Sequence, residues 1–222
     1  MNLVSFGCSH TQGEGLEDIY PEFGKISKLA WPQKLADLVG CTVNNLGKGG
    51  SSNKKILHRL LNYKFMQDDI SIVCWTHLDR WCIIRDTDIE EFGIWNYGKA
   101  KKDARIGTMS QGGINDSITS TATAFYEHIH DDEDRKQEMH RDIEFAKLYL
   151  DSKGIKNYHM TAMNFNKNNI GGYSWFNTKI LDINLQKIKD QNQLASDNHH
   201  PGPKAHQIVA QKVFELTQGL KI

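Results

Sequence analysis

The chain has 222 residues, with 27 Lys+Arg balancing 27 Asp+Glu, so its formal net charge is zero. That balance offers no electrostatic footprint for nucleic acid or an anionic membrane, and neither is expected as a partner. The length suits one domain that buries a core without disulfides or metals.

Leu3 to Phe6 is a short apolar run ending at Gly7, which reads as a buried strand feeding a loop, Gly7 to Gly13, of small and polar residues. A helix is predicted from Trp31-Pro32, with Leu35, Ala36 and Val39 on its inner face and Gly40 as its stop. Thr42 to Leu46 reads as a second strand, followed by the Gly-rich loop Gly47 to Asn53. Ser52 is placed there to cap a helix bearing Ile56, Leu57, Leu60 and Leu61. Ile70 to Trp75 is a continuous apolar run, as expected of a central parallel strand. Residues 85–120 are rich in Gly, Lys, Asp, Ser and Thr and read as an irregular insertion or lid. A long helix follows over 124–152, stopped by Gly154, then a strand over 155–162. Residues 164–196 give no clear strand, and the last helix starts at Pro203 with Ala205, Ile208, Val209, Val213 and Leu216 on one face. Alternating strands and helices predict an α/β protein, a three-layer α/β/α sandwich around a parallel, flavodoxin-like sheet, in one domain over 1–222.

The four cysteines, Cys8, Cys41, Cys74 and Cys82, contain no C-x-x-C pair, which argues against zinc-ribbon and redox chemistry and fits reduced thiols. The N-terminus lacks the basic start and apolar stretch of a signal peptide, and no run approaches membrane-spanning length, so a cytoplasmic protein is expected.

In a parallel sheet, sites form beyond the carboxyl ends of the strands. Ser9 falls there, two residues after Gly7, where a base can activate it; a serine in such a loop is also a common cap or turn residue. Asp197-Asn198-His199-His200 places a carboxylate three residues before an imidazole, the spacing that lets Asp197 orient His200, while the same stretch reads as a polar turn before a helix. His199 competes with His200 for the role of base. The loop around Gly50 allows close backbone approach to a ligand, but it lacks the Walker pattern of a phosphate loop. His128, His130, Asp131 and Asp132 carry metal-ligating atoms; on a continuous helix they do not share a face, so a solvated charged face is expected and no metal is assigned. Aromatic residues around 95–97 and 173–176 are packing residues or walls of a carbohydrate or acyl site.

The order Gly7-Cys8-Ser9, Gly50, then Asp197-x-x-His200 resembles the SGNH (GDSL-like) hydrolases, and the first block is similar to phage-type members that read G-C-S-x-T. The resemblance implies an esterase working through an acyl-enzyme, without a cofactor, on a small-molecule or carbohydrate ester such as an O-acetyl sugar. It implies Ser9 as nucleophile, His200 as general base and Asp197 as its orienting acid. The oxyanion would be met by the N–H groups of Ser9 and Gly50. Where that family has an Asn after the third strand, this chain has His77 in Trp75-Thr76-His77-Leu78-Asp79-Arg80. His77 is thus the candidate third oxyanion donor, and Arg80 is a salt-bridging residue or an anchor for an anionic substrate group. The substitution at His77 also motivates an alternative, a non-catalytic glycan- or partner-binding protein on the same scaffold.

Overall fold

The computed structural model describes residues 1–22, 24–84, 89–96, 104–108, 124–162 and 174–220. In chain order the elements are β1 (Asn2–Gly7), α1 (Ser9–Gln12), α2 (Trp31–Val39), β2 (Thr42–Gly47), α3 (Asn53–Leu61), β3 (Asp69–Trp75), β4 (Trp81–Ile84), β5 (Ile89–Asn96), β6 (Ala104–Thr108), α4 (Asp132–Ser152), β7 (Lys156–Thr161), β8 (Ile180–Asn184), α5 (Leu185–Asp190) and α6 (Pro203–Leu216).

Among the described residues, five strands pair in the order β2-β1-β3-β7-β8, and each neighbouring pair is parallel. Side chains alternate across the sheet with period two. Leu3, Ile72, Cys74 and Met160 face one layer, where Trp31 and Leu35 of α2 and Val209 and Val213 of α6 cover them. Val4, Phe6, Val73 and Trp75 face the other, against Ile56 and Leu60 of α3 and Ile143, Ala146 and Leu150 of α4. The central strand β3 is buried at every position. Each fully buried Leu, Ile or Val contributes about 1.5–3 kcal/mol relative to exposure, so these two faces hold the sheet between its helices. This is the three-layer α/β/α architecture that the alternation of elements predicts.

Several boundaries follow sequence chemistry closely. Pro32 sits in the first turn of α2, and Gly40 closes that helix at φ +74, a left-handed position that suits glycine. The Ser52 side chain accepts from Lys55 N–H at 3.3 Å and caps α3.

Three regions differ from the sequence reading. Residues 85–120 contain β5 and β6, which pair antiparallel with each other and with β4, Trp81 opposite Phe92 and Phe92 opposite Thr108. Glu90-Glu91 interrupts the apolar pattern there, and local pairing rather than burial in the main sheet organises these strands. Residues 85–88, 97–103 and 109–120 of that stretch, Tyr97 included, lie outside the described residues, as do Tyr173 and the side chain of Trp95. The helix expected over 124–152 is broken. Residues 124–128 are helical, the chain then turns, and Asp131 in extended conformation restarts α4 by accepting Asp134 N–H at 2.8 Å. Finally, β8 is an added edge strand whose apolar residues, Leu181 and Ile183, are buried while Asp182 between them is exposed. Four residues of alternation are a weak signal inside a polar stretch. No helix among the described residues is long and apolar enough to cross a membrane.

Candidate active site

The loops after β1, β2 and β3 leave adjacent strands at the same sheet edge. They flank the β1/β3 junction, where the strand order reverses and a crevice opens in doubly wound sheets. Ser9 does not lie in an open loop, as the sequence had indicated, but opens α1. Cys8 is extended (φ −95, ψ −157), and its carbonyl accepts Thr11 N–H and Gln12 N–H, each at 3.0 Å. Ser9 N–H therefore falls in the first turn, where a helix supplies no acceptor. Ser9 is buried, with the residue 3% exposed.

The β2–α3 loop is drawn onto α1. A Cβ at Gly47 would stand 2.4 Å from Gln12 N, so the approach of the two backbones requires glycine there. Gln12 reaches across in both directions: its Oε1 accepts Gly49 N–H at 2.5 Å, and its Nε2 donates to Lys25 O at 2.8 Å. Asn45 donates to Thr11 O at 2.7 Å and accepts Gly47 N–H at 2.9 Å. The Arg59 guanidinium donates to Leu46 O (2.8 Å), Gly7 O (3.0 Å) and Ser51 Oγ (2.7 Å), tying the ends of β1 and β2 together. Gly50, buried at φ +73, sits in the middle of this braced loop. Among the described residues no protein acceptor takes the N–H of Ser9 or of Gly50.

The β3 loop is joined to the same unit by Asn53. Its amide accepts Thr76 N–H at 2.7 Å and donates to Thr76 O at 3.2 Å, so it is committed to holding the loop that carries His77. His77 is half-buried. Burial first, then Arg80 and Lys189, push its pKa down to about 3, so the ring is neutral at ordinary pH and carries one N–H. Arg80 donates to Thr76 Oγ1 at 3.3 Å.

The second half of the site is a tight turn before α6. Ala195 N–H donates to His200 O at 3.0 Å and Asn198 N–H to Ala195 O at 2.9 Å, with Asn198 left-handed at φ +58. Within that turn Asp197 Oδ1 accepts His199 N–H at 2.9 Å and His200 N–H at 3.0 Å, while Oδ2 pairs with His200 Nδ1 at 2.5 Å. Burial raises the pKa of Asp197, but the backbone N–H groups of His200 and His199 and the His200 ring outweigh it, holding the carboxyl below its usual range. It is His200, rather than His199, whose ring meets the carboxylate.

The two halves meet at His10. Its ring packs edge-to-face on His200 with centroids 5.7 Å apart, and Gly15, just past α1, receives Ser196 N–H on its carbonyl at 2.9 Å. His10 is buried, and burial, His200 and Arg80 lower its pKa well below the ordinary value. The turn bearing Asp197 and His200 is thereby fastened beside the helix that Ser9 opens. Among the described residues no hydrogen bond joins Ser9 Oγ to His200; such bonds are often loose before substrate binds. The bracing residues Gln12, Asn45, Asn53 and Arg59 were not singled out from sequence, because isolated polar residues carry no pattern. His206, which the sequence left without a role, accepts Trp31 N–H on Nδ1 at 3.0 Å and fastens α6 to α2.

Solved structures that share this fold include a lipolytic protein of the G-D-S-L family and esterases. A lipolytic protein of that family from Desulfitobacterium hafniense matches with a TM-score of 0.52, at 12% identity over 97% of this chain and 98% of that one. The psychrotrophic esterase EstA from Pseudoalteromonas sp., in a form inhibited by monoethylphosphonate, matches at 0.50, with 10% identity over 99% of this chain and 97% of that one. A carbohydrate esterase described as displaying divergent catalytic and non-catalytic binding functions matches at 0.50, with 12% identity over 98% of this chain and 64% of that one. No family model and no curated protein matches the sequence.

Proposed function

We propose that the protein is a serine esterase of the SGNH type, acting on a carboxylic ester through an acyl-enzyme. The observation that carries this reading is the Asp197–His200 pair, fastened beside α1 through the His10–His200 contact. Asp197 on Nδ1 fixes the imidazole tautomer and leaves Nε2 with a lone pair for a proton. In the proposed reaction Ser9 Oγ attacks the ester carbonyl as His200 Nε2 takes its proton. The carbonyl π pair moves onto oxygen, and the N–H groups of Ser9 and Gly50 stabilise the oxyanion, with the neutral His77 ring as third donor. Collapse expels the alcohol, which takes the proton back from His200. Water, deprotonated by the same imidazole, then releases the acid and restores Ser9. An O-acetyl group on a carbohydrate is the proposed substrate class, in line with the carbohydrate esterase that shares the fold.

The binding-protein reading draws on two observations: Ser9 Oγ is not hydrogen-bonded to His200, and a histidine stands where the family has its asparagine. Turnover of p-nitrophenyl acetate and release of acetate from acetylated xylo-oligosaccharides, in wild type and Ser9→Ala, separate the two. Hydrolysis lost in Ser9→Ala supports the esterase. Saturable oligosaccharide binding with no hydrolysis by folded wild type supports the binding protein.

A further inference from the structure

A second cluster lies about the start of α4, where the break in the expected helix removes the helical-face argument against metal ligation. Asp79 from the β3 loop, His130 from the turn and Asp132 from the first turn of α4 each offer one donor atom, and those atoms lie within 4.8 Å of one another. His130 Nδ1 stands 3.9 Å from Asp132 Oδ1. With metal–ligand bonds of about 2.1 Å, two donors on one ion stand about 3–4 Å apart, so the cluster needs only small side-chain rotations to close.

The cluster is held by its surroundings. The Tyr126 hydroxyl donates to the Asp79 carbonyl, and Trp81 stacks on Phe125 with centroids 4.3 Å apart, docking the β3 loop onto residues 124–130. The His130 ring packs against Phe125 and Tyr126, with its side chain only 11% exposed. Its Nε2 is shut away from solvent and has no hydrogen-bond partner among the described residues. Two carboxylates drawn together repel, and a cation held between them and the His130 ring relieves that repulsion.

We propose that Asp79, His130 and Asp132 form a site for a divalent first-row transition ion, Zn2+ or Mn2+, which ties the His77-bearing loop to α4. One imidazole with two carboxylates suits these ions, whereas Mg2+ and Ca2+ take oxygen donors almost throughout. The site is separate from Ser9 and stands whether or not the esterase reading holds.

The test is calorimetric titration of chelator-stripped full-length protein with Zn2+, Mn2+ and Mg2+, alongside melting curves. One equivalent of Zn2+ or Mn2+ should bind, Mg2+ should bind much more weakly, and the melting temperature should rise with the bound ion. His130→Ala and Asp132→Asn should each weaken binding at least tenfold, while Ser9→Ala should bind as wild type. Asp132 is 82% exposed on its side chain, so its replacement leaves the fold intact and decides the matter if His130→Ala does not fold. Absence of binding to wild type, or binding unchanged in Asp132→Asn, overturns the assignment.

Discussion

The Asp197 carboxylate rests against Gly15, and replacing that glycine by alanine should disable the site while leaving the protein folded. A Cβ at Gly15 would stand 2.2 Å from Asp197 Oδ2 and 2.4 Å from its Cγ. Ordinary heavy-atom contact is about 3.5 Å, so the carboxylate must retreat by about 1 Å. It cannot do so freely, since three hydrogen bonds from the His199 and His200 N–H groups and the His200 ring hold it at 2.9, 3.0 and 2.5 Å. A misplacement of about 1 Å costs on the order of 10²-fold in rate, and full loss of the orienting carboxylate about 10⁴-fold. The kcat for p-nitrophenyl acetate should therefore fall by about 10²–10⁴ in Gly15→Ala. Gly15 also lies at φ +82, where alanine costs about 1–2 kcal/mol. Gly40→Ala is the matched control, because Gly40 is at φ +74 and a methyl there would meet nothing within 4 Å. It should lose a similar amount, about 1–2 kcal/mol in urea unfolding, and keep wild-type kcat. Equal kcat in the two folded variants would refute the role given to Asp197.

Other consequences are as direct. Asp197 is held below the ordinary carboxylate pKa, so its ionised form favours the folded state. That contribution is fully present above about pH 5 and disappears as the pH falls through the lowered value. The stability gap between wild type and Asp197→Asn, read by urea unfolding, should shrink on acidification below that point, and a gap that widens would contradict the assignment. His77→Ala should lower kcat by about 10²–10³ if its ring donates to the oxyanion, and His77→Asn should recover much of that loss; unchanged kcat in both would remove His77 from the site. Arg59→Met strips donors from Gly7 O, Leu46 O and Ser51 Oγ and should cost about 2–4 kcal/mol in urea unfolding. Asn53→Ala, which frees both backbone groups of buried Thr76, should cost about 2 kcal/mol.

The frame of the molecule was legible in sequence where local chemistry and burial agree. Leu3–Phe6 and Ile70–Trp75 are apolar because both faces of a central parallel strand are covered, and Pro32, Gly40 and Ser52 mark helix ends by backbone requirements of their own. The Asp197–His200 contact was readable because three residues of a tight turn bring the two side chains together. What escaped was decided by tertiary contact. Asp131 looks like one more acid in a helical stretch until its side chain caps α4. Leu181 and Ile183 are too few to announce a strand until β7 supplies a partner. Gly15, Gln12, Asn53 and Arg59 matter through atoms that lie far away in sequence or across a turn, and His130 and Asp132, set aside on a continuous helix, stand together with Asp79 because the helix breaks at 129–131. Ser9 follows the first apolar run, beyond the carboxyl end of β1, but its place at the opening of α1 depends on the extended Cys8 before it.

The central claim is that Ser9 is a nucleophile driven by His200. Its most direct test is exposure of the folded protein to a fluorophosphonate, followed by peptide mapping of the adduct by mass spectrometry. The account predicts a single phosphonylated residue, Ser9, in wild type, no adduct in Ser9→Ala, and labelling strongly slowed in His200→Ala. A well-folded wild type that takes no label, or labelling of Ser9 that proceeds unchanged in His200→Ala, would contradict it.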